Sequence, residues 1–439
     1  MLHWVALNIQ QQSQKGTGTM NTKTRFDQQF FPRISESWEG MNASELVGFL
    51  YPKCQEIITA GKLQRLLEAG RKLRVKFGID PTASNIHLGH IVPIMLLNQF
   101  AKAGHHIDFI IGDFTAIIGD PTERDTGRVP LTNEQIVENM RTYQDQIGRY
   151  IDLSRLHLHR NSEWLNPMTL RDVFAVFQRI NLTEAMQRED FRKRMRNEQG
   201  VSLAEVCYGV LMGIDSVQLS TDVEIGGIDQ LLNFQQCRKI MQEKGIEEEV
   251  ALMVPLLEGT DGAGRKMSKS FGNTVPVNAS LEDKFGKIMS IPDQLIFQYF
   301  CSFADVHERE VEALKQLIDS DPMEAKKQLA TFLVALEAKD LAAGLQEREN
   351  FERKFSKRIV TDADCIPLTA SSGQNLLDLL VNSGHFKSKG ELRRLFDQNA
   401  VRLISDSGES ILASSASITE TCKLRVGKLK FFAINVVEQ

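Results

Sequence analysis

Two short segments carry chemistry that residue type and spacing make legible. The first is His87-Leu88-Gly89-His90, which follows Asp80-Pro81-Thr82-Ala83. Two histidines three positions apart at a helix start share one face, and a helix start exposes N–H groups that favour an anion. Gly89 between them leaves room for a base or a backbone to lie close. Such a pair suits hydrogen bonding to phosphate oxygens while negative charge builds on them. Alone, the pattern also fits a cap or a surface position. The second segment is Lys266-Met267-Ser268-Lys269-Ser270, preceded by Gly262, Gly264 and Arg265. A glycine-flanked loop with two lysines suits a mobile clamp on a polyphosphate, each ammonium acting as a movable point charge. A solvated basic loop is the plainer account of that spacing by itself, and the histidine pair upstream tips the balance to the clamp.

These segments need elements that bring a helix start and a distant loop together. Leu73 to Ile79 reads as a short buried strand broken by Asp80-Pro81. From His87 an apolar helix runs through Phe100 and stops at Ala103-Gly104. Ile107 to Gly112 is a second apolar strand, continued by the turn-rich Phe114 to Gly119. Strand, loop, helix and strand in this order predict a βαβ unit with parallel pairing. Leu252 to Leu257 reads as a later strand of the same sheet. Upstream, Glu45 to Ala69 carries Leu46, Phe49, Leu50, Ile57, Leu63, Leu66 and Leu67 at roughly helical spacing and ends near Gly70, so a helix is expected there. Leu281 to Phe355 is helical in pattern. After a linking segment around Thr361 to Pro367 the character changes. Asn375 to Val381 and Lys389 to Gln398 read as short helices. Val401 to Ile404, Ser410 to Ala413, Lys423 to Val426 and Phe431 to Val436 read as short strands.

Bulk properties bound the rest. At 439 residues the chain is too long for one compact domain. Its 42% apolar and 25% charged residues are ordinary for a globular protein. No run approaches the roughly 18 consecutive apolar residues of a membrane span. The net charge of −5 gives no global basic signature, so any nucleic-acid contact must come from a local patch. Six scattered cysteines without a CxxC pair argue against a zinc site or a disulfide framework and favour a cytoplasmic location with reduced thiols. Met1 to about Ser37 is polar, lacks the apolar core of a signal peptide and the arginines of a transit peptide, and reads as an irregular extension. Between Leu368 and Asn435, nine basic residues stand against six acidic ones, a local basic excess of the kind phosphate contacts require.

The two segments and their surroundings resemble the tyrosyl members of the class I aminoacyl-tRNA synthetases, over about Leu73 to Val436. Gly78-Ile79-Asp80-Pro81-Thr82-Ala83, Ile118-Gly119-Asp120-Pro121, Asn161-Ser162-Glu163-Trp164 and Gly226-Gly227-Ile228-Asp229-Gln230 carry the likeness together with the histidine and lysine segments. Toward the end, Lys387-Ser388-Lys389, Leu392-Arg393-Arg394-Leu395 and Asn399-Ala400-Val401-Arg402-Leu403 resemble an S4-type RNA-binding domain. No one of these is specific; together they are.

The resemblance implies an α/β fold: a Rossmann-like parallel-sheet catalytic domain over 41–275 with an inserted helical dimerisation region, a helical domain over 276–360, and a small α+β S4-like domain over 368–437, after an irregular extension at 1–40. It implies L-tyrosine, ATP with accompanying Mg²⁺, and tRNA(Tyr) as substrates, no protein-held metal, no membrane association, and a homodimer pairing between about Gln135 and Val176. Position by position, His87, His90, Lys266 and Lys269 match the catalytic groups. Asp80, Thr82, Gly89 and Asp229, with Met267 and Ser268 of the loop, match the ATP side. Asp120, Asn161, Tyr208 and Gln230 match the surroundings of the amino acid, and Asp215 the carboxylate that accepts the phenol hydrogen bond. Arg124 and Arg128 match positions that approach phosphate or the tRNA end. Lys387, Lys389, Arg393, Arg394 and Arg402 fall on the tRNA-binding module.

Two positions depart from the pattern. Met212 stands where the family usually has a glutamine that helps bind the substrate ammonium, and methionine accepts hydrogen bonds only weakly. Lys76-Phe77 replaces a tyrosine that is the usual second phenol partner, which puts Lys76 at the substrate. Met212 motivates an alternative, a synthetase-like paralogue activating another aromatic amino acid, such as a tyrosine isomer, for a non-tRNA acceptor. An RNA-binding protein that kept the fold and lost catalysis is the remaining reading, and the intact histidine and lysine segments oppose it.

Overall fold

A computed structural model describes residues 25–439 other than 83–84, 123–131, 179–180, 187, 357–359, 387, 406–407, 428–429 and 438–439. The chain forms two compact units, Met1–Arg348 and Glu349–Gln439.

The first unit is built on a six-stranded sheet of β1 (Glu56–Ile58), β2 (Arg74–Ile79), β3 (His106–Ile111), β4 (Leu156–Arg160), β5 (Val223–Gly227) and β6 (Val250–Val254), in the order β1-β6-β5-β2-β3-β4. All neighbours run parallel except β1 against β6. All five residues of β6 are buried, and so is most of β3, as parallel strands covered on both faces require. The helix Leu88–Lys102 crosses from β2 to β3 and is buried over nearly all its length, so its apolar residues surround it rather than forming a stripe. Strand β2 has β3 on one side and β5 on the other. The chain therefore leaves β2 and β5 in opposite directions, and a crevice opens beyond their C-terminal ends. Strands β4 and β5 were not expected from the pattern. β4 is an edge strand with exposed positions, and β5 carries a buried glutamate.

The helix expected over Glu45 to Ala69 is two helices, Ala43–Leu50 and Ala60–Glu68, with β1 between them. Pro52 sits in the tight turn Tyr51–Lys53, where proline lacks the N–H that a continuing helix needs. Glu56, Ile57 and Ile58 pair instead with β6, a partner some 200 positions away that local spacing cannot reveal. Within the extension expected to be irregular over 1–40, the described residues include a helix, Phe26–Phe30, followed by a tight turn, Phe31–Ser35. The helix Phe26–Phe30 places two phenylalanines one turn apart, both are buried together with Trp38, and the Phe26 amide donates to Gln328 Oε1 at 2.8 Å. Aromatic burial, not overall polarity, decides that segment.

Five helices, Leu281–Met289, Ile296–Phe303, Val311–Ser320, Pro322–Ala338 and Leu341–Phe351, occupy the stretch read as helical. Gly344 is required where two of them meet, because a Cβ there would lie 2.3 Å from the Thr331 carbonyl oxygen. Gly344→Ala is expected to lose stability despite alanine's helix propensity, by about 1–2 kcal/mol net, since a backbone clash has no rotamer to relieve it. A thermal midpoint equal to the parent's would mean the helices have slack at that crossing.

The second unit contains β7 (Ile366–Ser371), β8 (Gln374–Asn375), β9 (Val401–Ser405), β10 (Gly408–Ile411), β11 (Ser417–Ile418), β12 (Cys422–Val426) and β13 (Lys430–Val437). Five of them form a sheet in the order β10-β9-β12-β13-β7, and β8 pairs with β11. The helices Leu376–Asn382 and Lys389–Asp397 contribute to its core, in which Leu376, Leu380, Leu392, Val401, Leu424, Phe432 and Ile434 are buried. The segment read as a linker ends in a strand, because β7 pairs in parallel with the final strand β13 from Ile366 onward. No described helix is long and apolar enough to cross a membrane.

Candidate active site

The crevice beyond β2 and β5 is a cleft of about 850 Å³ in the first unit. It is lined by Asp80, Thr82, His87, Gly89, His90, Asp120, Asn161, Tyr208, Asp215, Asp229, Gln230, Lys266, Met267 and Ser268, and by Lys76 and Met212 at its inner end. Residues from widely separated places in the sequence thus meet in one space.

His87 is the cap of the helix Leu88–Lys102, and its backbone N–H donates to His90 Nδ1 at 3.3 Å. The two rings lie 3.9 Å apart between centroids. Burial pushes the His87 imidazole down to about 2 and that of His90 to about 4, with the nearby Lys269 ammonium adding to both. Both rings are therefore neutral at physiological pH. His87 Nδ1 is buried with no hydrogen-bond partner among the described residues. A Cβ at Gly89 would lie 3.1 Å from the His87 ring, which would have to give by a few tenths of an ångström.

The lysine loop is fastened to this helix start. Met267 is buried, and the Leu88 amide donates to the Val275 carbonyl at 3.0 Å. Asn273, which residue type did not single out, accepts from the Ser268 amide at 2.8 Å and donates to the Lys266 carbonyl at 3.2 Å. Lys266 Nζ stands 3.9 Å from Asp229 Oδ2. Lys269 opens the tight turn Lys269–Phe271, which Gly272 closes with φ +65°. It is not part of the cleft wall, but its charge reaches both histidines.

At the other end, acidic groups stand under polar cover. Asp80 accepts from the Thr115 hydroxyl at 2.7 Å and the Tyr208 hydroxyl at 2.9 Å, and burial pushes its carboxyl up to about 7. This bond ties a residue matched to the ATP side to one matched to the amino acid, so Asp80 sits where the two halves of the cleft join. Asp120 accepts from Gln230 Nε2 at 2.7 Å and from the Thr122 hydroxyl at 2.6 Å. Gln230 is oriented in turn by Asn233 at 2.8 Å, and Asn233 by Arg188 at 2.7 Å, a buried relay with no sequence signature. Deeper in, Asp215 accepts from Trp164 Nε1 at 2.7 Å and lies 3.4 Å from Asn161 Nδ2. Burial pushes its carboxyl up to about 6, opposed mainly by Lys76.

Lys76 does not behave as a direct ligand group. Its Nζ is bonded to Glu224 at 2.7 Å, Ser216 Oγ at 2.6 Å and the Met212 carbonyl at 3.2 Å. An ammonium has three donors, and all three are committed inside the protein. The Met212 side chain packs against the cluster of Phe234, Ala251 and Met253.

Gly112 supports the acidic end by its lack of a side chain: a Cβ would stand 2.2 Å from Asp80 Oδ1 and 2.3 Å from Thr115 Oγ. Gly112→Ala is expected to part Asp80 from Thr115 and lower kcat/KM for the amino-acid substrate by roughly 10- to 100-fold, the scale of one displaced buried polar pair. Steady-state kinetics within twofold of the parent would contradict that.

Arg124, Arg128 and Lys387 lie outside the described residues. In the second unit, Arg393 and Arg394 are exposed on the helix Lys389–Asp397. Lys389 is paired with Asp378 at 2.9 Å, and Arg402 and Arg425 both reach Glu409 at 3.2 Å.

A family model described as tRNA synthetases class I (W and Y) matches residues 68–351. The chain is 37% identical to a tyrosine–tRNA ligase from Syntrophotalea carbinolica, over 84% of this chain and 93% of that protein. It is 38% identical to one from Aquifex aeolicus, over 86% and 95%, and 36% identical to one from Thermotoga maritima, over 90% and 98%. Among solved structures, a C-terminally truncated mitochondrial tyrosyl-tRNA synthetase from Aspergillus nidulans matches with TM-score 0.58 at 21% identity, over 74% of this chain and 99% of that one. The tyrosyl-tRNA synthetase from Archaeoglobus fulgidus complexed with L-tyrosine matches with TM-score 0.55 at 23% identity, over 70% and 100%. These two likenesses concern the fold.

Proposed function

Because the chain belongs to the class I tRNA synthetases, among the tyrosine–tRNA ligases, we propose the following division of labour within its cleft. The activity is tyrosine–tRNA ligation, with ATP as co-substrate. The paralogue reading drawn from Met212 is set aside, since the relatives that span most of the chain are tyrosine–tRNA ligases.

In the first step a tyrosine carboxylate oxygen attacks the α-phosphorus of ATP in line, the bond to the β-phosphate bridging oxygen breaks, and pyrophosphate leaves with its Mg²⁺. In the second step a hydroxyl of the terminal adenosine of tRNA(Tyr) attacks the activated carbonyl, its proton is lost, and AMP departs. Neither step needs a covalent enzyme intermediate, so positioning and charge stabilisation carry the catalysis. His87 and His90, as neutral imidazoles, offer N–H donors to phosphate oxygens. Lys266 and Lys269 bring positive charge as the loop closes. Gly89 gives the adenine room, Thr82 and the backbone of Met267 and Ser268 line the ATP side, and Asp229 takes the ribose. Asp80 stands at the joint, beside the ammonium site of Asp120 and Tyr208. Gln230, held by Asn233 and Arg188, fixes the Asp120 carboxylate, and Met212 contributes apolar contact only. Asp215, steadied by Trp164 and Asn161, accepts the phenol hydrogen.

Arg124 and Arg128 approach the tRNA end. Lys387, Lys389, Arg393, Arg394 and Arg402 give the S4-like module over 368–437 its RNA face, separate from the catalytic domain over 41–275 and the helical domain over 276–360. Pairing into a homodimer between Gln135 and Val176 is supported by the exposed Val137, Leu158, Leu170 and Phe174. The compartment is the cytoplasm.

One observation carries this reading: the lysine loop and the histidine-bearing helix start line the same cleft, whose inner end holds a buried acid. The test is ATP–pyrophosphate exchange with each aromatic amino acid, followed by charging of bulk tRNA. Exchange and charging with tyrosine are expected. Exchange with another aromatic amino acid in its place, or exchange without charging, would refute the reading.

A further inference from the structure

The innermost part of the cleft holds more charge than recognition of a phenol requires. Lys76 and Glu224 are register partners across the parallel pair β2–β5, each 2% exposed. Glu249, fully buried just ahead of β6, and Cys237 stand beside Glu224, with ligand-type atoms within 4.8 Å of one another. The Lys76 ammonium supplies the positive charge among them, so this cluster is an internal ion pair. Burial, with Glu224 adjacent, pushes the Glu249 carboxyl well above its ordinary range, which leaves one ammonium facing one carboxylate. A buried ion pair of this kind adds little stability compared with apolar residues of equal volume, which directs attention to function.

The pair is tied directly to the phenol site. Ser216, which holds Lys76 Nζ at 2.6 Å, follows Asp215 in the chain, and the Met212 carbonyl one turn earlier holds it at 3.2 Å. We propose that Lys76 is a positioning and specificity-determining residue: locked onto Glu224, Ser216 and the Met212 carbonyl, it never touches the substrate but keeps Asp215 in the carboxylate form that the tyrosine hydroxyl needs. This deepens the proposed function and rests on Asp215 accepting the phenol hydrogen.

The charges around Asp215 set the sign. Lys76 on β2 favours its ionised form, and Glu224 on β5 opposes it. Asp80 after β2, Tyr208 on the same helix, and Glu249 and Cys237 behind Glu224 are the other titratable groups of this end. Trp164 and Asn161 are neutral donors. A carboxylate gives the phenol a charge-assisted bond, whereas a protonated carboxyl gives up much of it. Phenylalanine shares the ammonium contacts and lacks the hydroxyl. The tyrosine-to-phenylalanine ratio of kcat/KM in pyrophosphate exchange therefore removes what the two substrates share and reports what the hydroxyl meets at Asp215.

In the parent that ratio is expected to rise with pH through about 6 and then level off. Lys76→Met combined with Glu224→Gln removes both charges at nearly constant volume. Losing Glu224 also removes a group that opposes ionisation, so the midpoint should still move up but by less than the roughly one to two pH units expected for loss of a nearby opposite charge alone, with the ratio restored at alkaline pH. Glu224→Gln combined with Glu249→Gln leaves the ammonium without a counter-ion and without a neighbouring acid to replace it, and the midpoint should move down. A merely structural role lowers the ratio at every pH and leaves the midpoint fixed. An unmoved midpoint, or a downward one, in the Lys76→Met, Glu224→Gln variant overturns the proposal, and that variant alone decides if the other does not fold. Asp215→Asn separates the two levels. If it preserves the parent ratio, the underlying phenol reading fails. If it collapses the ratio while the first variant leaves the midpoint fixed, only the role of Lys76 fails.

Discussion

In Lys269→Ala, adenylate formation is expected to fall by about 100- to 1,000-fold while tyrosine binding stays at the parent level, the usual cost of one donor aimed at transition-state charge. The geometry explains the split. Lys269 opens a turn closed by Gly272 and lies outside the cleft wall, so it contributes nothing to the pocket around Asp120 and Asp215. Its charge reaches His87 and His90, the pair at the helix start where the phosphates are proposed to lie. Removing it takes away positive charge only where pyrophosphate develops its own negative charge. Lys269→Arg should recover part of the loss, since the charge returns but on a planar fork of different reach. Single-turnover adenylate formation, set beside calorimetric tyrosine binding, distinguishes this from general damage. Adenylate formation within a few-fold of the parent would remove the lysine loop from the chemistry.

Asp215→Asn is expected to lower kcat/KM for tyrosine by about 10- to 150-fold, the worth of a hydrogen bond to a charged group, and to leave phenylalanine activation unchanged or slightly improved. Trp164 donates to one carboxylate oxygen at 2.7 Å and Asn161 Nδ2 faces the other at 3.4 Å. An asparagine amide has one oxygen, which Trp164 takes, so its NH₂ group would face the Asn161 amide and the phenol hydroxyl together. The hydroxyl then meets a donor where it needs an acceptor. Phenylalanine has nothing to lose there. Equal loss for both amino acids, measured by pyrophosphate exchange, would mean that Asp215 shapes the pocket rather than reads the hydroxyl.

Residues adjacent in sequence made much of this site legible. His87 and His90 belong to one helix start, and Lys266 to Lys269 to one loop, so their chemistry is local and type and spacing suffice to state it. The same holds for β2, β3 and the helix between them, whose apolar runs sit between Gly and Pro breaks. Groups whose role depends on a partner far along the chain escaped that reading. Gln230 owes its orientation to Asn233 and Arg188, and Asp80 owes its place at the joint to Tyr208, 128 positions later.

Residue order and spacing by themselves pointed to a βαβ unit with parallel pairing, and put forward a histidine-bearing helix start and a lysine loop as groups suited to phosphate. The tertiary structure alone decided what the departures mean. Lys76 reads as a ligand in isolation, yet pairing of β2 with β5 sets Glu224 opposite it and spends all three of its donors. β5 escaped recognition for the same reason: a glutamate in a buried strand is tolerable only when a cation faces it, and that cation comes from another strand. Charge compensation across a sheet is a property of register, and register is settled only when the whole sheet is assembled.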